Sequence, residues 1–276
     1  MNSKSNEFEK ATGVQLNEIP EHQLSREQFP TEIIELPSRG KLYPSSSPLK
    51  SGKVEMKYMT TKEEDILTSM NLIRQGVALD MFVKSLLVTD VNFDELLLGD
   101  YDALIISSRI LGYGPQYNFN VKCPMCGFSP KQGHTIDLRT IKDKNIDFDI
   151  FEPNSAIFSI TLPISKKEVR VKLFTRKDET SFKNELKGLE KLNLPVLPEN
   201  STMLKHMIVS VDGDSSTQVI REFVDKMLGP DSLYLKQQIA NTRVGLDTSF
   251  VYTCPSCNHE TEMVIPIDAS FFWPGA

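Results

Sequence analysis

The chain holds four cysteines, and all four fall in two copies of one short pattern, "CPMCG" at 123–127 and "CPSCN" at 254–258. A C-x2-C turn offers two thiolates on one side of a tight knuckle, which is half of a tetrahedral site. Proline after the first cysteine stiffens the turn, and Gly127 or Asn258 after the second tolerates the left-handed backbone that lets amides approach the sulfurs. Each pattern also has the same surroundings. Tyr117, Phe119 and Val121 alternate with polar residues and run into Cys123, and Thr135–Leu138 can return as a strand. "SFVYT" runs into Cys254 and "TEMVIPI" leads away from Cys257. Two strand–knuckle–strand units with no cysteine left over predict one structural Zn2+ held by Cys123, Cys126, Cys254 and Cys257 in a zinc ribbon.

The ribbon is split, because residues 127–253 separate its halves, whereas common ribbons have about 15–20 residues there. Closing a longer loop costs only about 0.6 kcal/mol per doubling. A structural zinc contributes on the order of 10 kcal/mol in small peptides, so the spacing is no energetic bar. The rival reading is a glutaredoxin-like C-P-x-C dithiol. That chemistry needs its first cysteine at a helix N-terminus, and here turn and strand sequence follows both pairs. His134 and His259 lie near the knuckles and read as bystanders to a complete shell of sulfurs.

The rest of the chain reads as α+β, a small helical unit plus the split ribbon with an inserted α+β domain. Residues 1–30 are polar and form an N-terminal arm. Residues 31–115 combine an extended strap, where Pro37, Pro44 and Pro48 forbid a long helix, a strand at 53–59, and three helices. The first helix starts at a capping box around Thr60–Glu63 or Thr61–Glu64. It carries Ile66, Leu67, Met70 and Ile73 on one face and stops at Gly76. The second covers 80–88 and the third about 100–111, where Arg109 reads by default as a packing and capping residue at the helix stop, with Asp100, Asp102 or a partner surface as its alternatives. The split ribbon takes 116–138 and 249–268. Between its halves, 139–248 reads as strands at 156–162 and 168–174 and helices at 178–192, 201–208, 216–228 and 231–242.

Motifs for phosphate loops, dinucleotide folds, nucleophile elbows and zinc proteases are absent. No constellation implies an enzyme or a small-molecule substrate. A net charge of −6 disfavours a dedicated nucleic-acid binder. The basic run Lys166, Lys167, Arg170, Lys172, Arg176 and Lys177 nonetheless keeps a zinc-ribbon nucleic-acid regulator as the second hypothesis and the dithiol oxidoreductase as the third. No apolar run reaches the roughly 20 residues of a membrane span. "MNSKSNEFEKATG" lacks a secretory apolar stretch, which predicts a cytosol-like compartment. In the aromatic tail, 269–276, Phe271, Phe272 and Trp273 either tuck onto their own domain or anchor a partner.

"LPSRGKLYP" at 36–44, "MTTKEEDIL" at 59–67, "LLLGDYDALIISSRILGYG" at 96–114, the two knuckles and the terminal "FFWP" together resemble the baseplate hub subunit and hub-assembly proteins of T-even-like contractile-tailed bacteriophages. The resemblance implies a non-enzymatic role in building the central hub of the tail baseplate, with other hub or tail proteins as partners. It also implies assembly in the host cytoplasm, with the virion's baseplate as a second location.

Overall fold

The first two strands enclose the proline-rich strap. In this computed structural model, residues 30–192, 195–267 and 271–272 are described; the arm expected over 1–30 lies outside them but for Pro30. Strand β1 (Thr31–Glu35) pairs antiparallel with β2 (Lys53–Lys57), Thr31 opposite Lys57 and Glu35 opposite Lys53. The β2 strand follows from its alternation, with Val54 and Met56 buried. β1 carried no such signal, because four of its five residues are exposed and its stability comes from the pairing itself.

Four helices follow: α1 (Thr61–Thr68), α2 (Met70–Gln75), α3 (Ala78–Leu86) and α4 (Leu98–Tyr113). The capping box forms at Thr60, whose backbone N–H donates to Glu63 Oε2 at 2.9 Å, and Lys57 Nζ lies 2.9 Å from the other oxygen of that buried carboxylate. The single helix expected from Thr61 to Gly76 is instead broken at Ser69, where ψ is 104°. The break turns α2 away from the core, so Met70 and Ile73 are 59% and 39% exposed while Leu67 is fully buried. Gly76 does end α2, in a left-handed conformation.

Helix α4 is buried around most of its circumference, as expected for a helix at the centre of a domain. Asp100 in its first turn is fully buried. Its carboxylate accepts from the Ser38 backbone N–H at 2.9 Å and from the Tyr43 hydroxyl at 2.6 Å. Tyr43 Oη in turn accepts from Leu97 N–H at 3.0 Å. The strap is thereby fastened to the start of α4 by a closed polar network, which satisfies a carboxylate that burial alone would make costly. Burial raises the Asp100 pKa, against the lowering effect of Tyr43 and Ser38.

Gly99 is where α4 meets the far end of the chain. A Cβ on this residue would lie 1.8 Å from the Val244 carbonyl oxygen, so only glycine permits the contact. Gly99→Ala forces two backbones apart and is expected to destabilise the protein by about 2–3 kcal/mol. A urea titration reads the shift directly; an unchanged midpoint would show that the two backbones part without cost.

Residues 139–248 hold a three-stranded antiparallel sheet in the order β6 (Ile157–Thr161), β7 (Glu168–Lys172), β8 (Ile208–Val211). It is flanked by α5 (Arg176–Glu190), α6 (Glu199–Met207), α7 (Thr217–Asp225) and α8 (Gly229–Thr242). β8 was not anticipated: it begins at the residue after α6 ends, with no glycine or proline to mark the change. At the two ends of this segment, β5 (Lys142–Asp143) pairs antiparallel with β9 (Leu246–Asp247), and Lys144 N–H donates to the Gly245 carbonyl at 2.9 Å. One apolar core runs from Leu36 through these elements to Phe272. Among the described residues no helix is long and apolar enough to cross a membrane.

Candidate metal centre

The cysteines are carried by two hairpins. β3 (Gln116–Phe119) pairs with β4 (His134–Asp137), and β10 (Ser249–Thr253) pairs with β11 (Glu260–Val264). Alternation buries Tyr117 and Phe119 on one hairpin and Tyr252 on the other. Aromatic rings fill the space between them. His134 stacks on Phe250 with centroids 5.1 Å apart and 14° between planes, and it meets Phe119 and Tyr252 edge-on. His134 is thus a packing residue of the layer that joins the hairpins.

The two knuckles have the same backbone. Cys123 N–H donates to the Phe128 carbonyl and Gly127 N–H to the Cys123 carbonyl, each at 2.9 Å. Cys254 N–H donates to the His259 carbonyl and Asn258 N–H to the Cys254 carbonyl, again at 2.9 Å. Gly127 at φ +74° and Asn258 at φ +55° close the two turns. The first cysteine of each pair is buried and the second exposed.

All four Sγ atoms lie within 4.8 Å of one another. Across the halves, Cys123 Sγ is 3.8 Å from Cys257 Sγ, and Cys126 Sγ is 3.7 Å from Cys254 Sγ. A disulfide would need about 2.05 Å, and all four cysteines are free. A tetrahedron with metal–sulfur bonds of about 2.3 Å has edges of about 3.8 Å, so the donor set fits a metal ion of that size. Burial opposes ionisation of Cys254, but the N–H groups of Cys257 and Ser256 and the neighbouring thiols bring its pKa to about 7. The His259 N–H favours a thiolate at Cys257, yet the sulfurs of Cys126, Cys254 and Cys123, together with burial, push it up to about 12. One thiolate forms readily and the next resists it, as like charges in one site must. A bound cation removes that conflict.

A further residue belongs to the site. The Tyr252 hydroxyl is buried, finds no oxygen or nitrogen partner among the described residues, and is left with the Cys254 sulfur beside it. Burial and the adjacent sulfurs of Cys254, Cys123 and Cys126 raise its pKa. A buried hydroxyl donor whose available acceptor is sulfur suits a cluster that carries negative charge. The signal was in the alternation of "SFVYTC", which points Phe250, Tyr252 and Cys254 to one side.

The other residues singled out by sequence take different places. Phe271 and Phe272 are 0% and 1% exposed. Phe271 lies edge-on to Tyr117 at 4.8 Å and Phe272 edge-on to Phe82 at 5.1 Å, so the partner-anchoring reading of these two rings is corrected: they fill the chain's own core between α3 and the first hairpin. Trp273 lies outside the described residues. Arg109 pairs with neither Asp100 nor Asp102, since the strap occupies Asp100 and Arg243 takes Asp102 at 3.2 Å. Instead it donates from Nε to the Phe271 carbonyl at 2.9 Å and from its other nitrogens to Gly114 and Gln116 carbonyls at 3.0 and 3.4 Å. The basic run is largely neutralised, with Lys167 on Asp212, Arg170 on Glu152, Lys172 on Asp178 and Arg176 on Asp80. Neither knuckle opens a helix, which is the placement a reactive dithiol needs.

A family model described as T4 bacteriophage base plate protein matches residues 30–273, from the first strand past the Phe271–Phe272 pair. No curated protein and no solved structure matches the chain. The match takes in the strap fastened to α4, both knuckles and the sheet between them, and its family is structural, not enzymatic. The chain belongs to the T4 bacteriophage base plate protein family and has a non-enzymatic, structural role in the phage tail baseplate.

Proposed function

We propose that this baseplate protein acts in building the central hub of the tail, and that Cys123, Cys126, Cys254 and Cys257 hold one structural Zn2+ as a split zinc ribbon. The observation that carries the metal reading is the pair of cross-half sulfur distances, 3.8 and 3.7 Å, which match the edge of a zinc–sulfur tetrahedron and span the longest excursion of the chain. Zinc would act as a clamp: it is d10 and redox-inert, and four sulfurs leave no open position for substrate or water. Residues 139–248 are then an insertion between the two halves of the ribbon. The side-by-side run of β5 and β9 at its ends supports this division.

The hub assignment is supported by the way the motifs that carry the family resemblance combine. Ser38 and Tyr43 of the strap meet Asp100 of α4 in one buried network, so those stretches form a single unit. Its partners are other hub and tail proteins, met in the host cytoplasm during assembly. Affinity purification of the chain from infected cells tests this. Neighbouring baseplate components are expected in the eluate and finished tails are to be probed for the chain; an eluate free of every tail component contradicts the hub role.

Tyr252→Phe addresses the metal site separately. Removing a donor beside the ligands is expected to speed loss of zinc to a chelator by about ten-fold, as outer-shell changes commonly do, while thermal stability of the loaded chain moves little. Equal release rates for the two proteins would place Tyr252 outside the site's chemistry.

A further inference from the structure

The first half of the chain leaves apolar side chains where a folded domain would hide them. Met70 and Ile73 continue the period of the buried face of α1, yet the break at Ser69 exposes them, and Leu79 and Met81 nearby are 37% and 43% exposed. Ile73 and Leu79 border a furrow. One cavity of about 350 Å³ is lined by Ile73, Leu79 and Tyr101 among others. A second, of about 490 Å³, adjoins it, and the two share Leu98, Glu179, Lys183 and Arg243. The floor of the larger cavity comes from the start of α4, from α5, α6 and α8, with Phe174, Phe182, Met203 and Ile239 half-buried there.

The rim of the larger cavity is basic. Lys144, Lys183, Lys236 and Arg243 line it against Glu179, and the smaller cavity adds Arg176 against Asp80 and Asp102, so cations still outnumber carboxylates along the furrow. Lys183 is tied to Glu179 and Arg243 to Asp102, whereas Lys144 and Lys236 make no salt bridge among the described residues. This local excess stands out on a chain whose net charge is −6. An apolar floor with cations along its edge selects an occupant with apolar side chains flanked by carboxylates. The furrow is open and continues through both cavities, with apolar groups at either end, which suits a length of polypeptide better than a compact small ligand.

The geometry points to this furrow as the docking site for an acidic, amphipathic segment of another baseplate protein. The inference rests on the baseplate-assembly reading and adds to it a surface and the chemistry of the partner. The recognition is apolar burial over Phe182, Met203 and Ile239, with Lys183, Lys236 and Lys144 fixing the register through carboxylates on the partner.

The test uses the full chain in infected cells, with the photocrosslinker p-benzoylphenylalanine placed at Phe182 in one variant and Met203 in a second, and at the exposed ribbon residue Val251 as a reference. Crosslinked peptides are sequenced by mass spectrometry. The expected adducts from both furrow positions map to one segment of another tail protein, rich in Asp and Glu beside apolar residues. Their yield falls about ten-fold when Lys183→Glu and Lys236→Glu are combined, and not when Lys226→Glu is made outside the furrow. Adducts to residues 1–29 of the same chain, to a second copy, to lipid, or to a neutral or basic segment overturn the proposal. Tail-protein adducts at Val251 with none from the furrow overturn this inference alone and leave the hub reading standing. No tail-protein adduct at any position overturns both.

Discussion

Cys254→Ser is expected to damage the protein as much as Cys123→Ser. Each removes one ligand from the same four-sulfur cluster, whose members lie within 4.8 Å of one another. Serine is a poor zinc ligand, and a three-sulfur remainder leaves two hairpins without their clamp. Each change is expected to cost about 5 kcal/mol or more, because metal binding free energy is folding free energy in such sites. The double variant should cost little more than either single one, since the second substitution removes a ligand from a site already lost. Chemical denaturation of the three proteins measures this. A harmless Cys254→Ser beside a destructive Cys123→Ser, or costs that simply add, would mean that the knuckles do not share a metal.

The second large effect is expected at Arg109. Its side chain is 2% exposed, it lies 5.0 Å over the Tyr113 ring, and it satisfies carbonyls of Gly114, Gln116 and Phe271. Arg109→Met keeps much of the volume but strands three carbonyls. At about 1–3 kcal/mol for each unsatisfied group, the loss is about 4–6 kcal/mol after partial rescue by water. The Phe271 carbonyl is the only one of the three from the C-terminal tail, so release of that tail should precede global unfolding. Hydrogen exchange across the tail peptide, compared with α4, reads it; tail protection that falls only in step with α4 argues against a separate tether.

What the sequence made legible was whatever carries a fixed spacing. The knuckles, their hairpins and the pairing of Cys123–Cys126 with Cys254–Cys257 all follow from two short patterns and the period-2 alternation around them. The α+β class and most helices follow in the same way. The break at Ser69 did not, because Leu67, Met70 and Ile73 keep the helical spacing straight through it and no glycine or proline marks the turn. β8 was hidden for a related reason: "IVSV" is a short apolar run directly after a helix, and length alone does not separate a strand from a last helical turn. Packing and capping at the helix end were legible for Arg109, but the particular carbonyls it holds were not, because backbone groups brought together by folding are not visible in a sequence. The aromatic tail was ambiguous because a pair of phenylalanines looks the same whether it fills a core or a partner's pocket, and the packing against Phe82 and Tyr117 decides it for this pair.

The split also explains how a long excursion can sit between two halves of one small site. The chain leaves the first hairpin through β5, builds the sheet β6–β7–β8 with its helices, and returns through β9 directly into β10. The β5–β9 pairing holds the outgoing and returning ends together and Gly99 against Val244 seats the returning end on α4, so the cysteines meet without a long free loop to order.

The most direct measurement is the metal content of the purified full chain, by elemental analysis alongside native mass spectrometry. One zinc per chain is expected, retained in the folded protein and lost completely in each of the four Cys→Ser variants, Cys126 and Cys257 included. A folded, metal-free chain, or one in which the Cys123–Cys126 pair keeps its metal after Cys254 and Cys257 are replaced, would contradict the shared clamp.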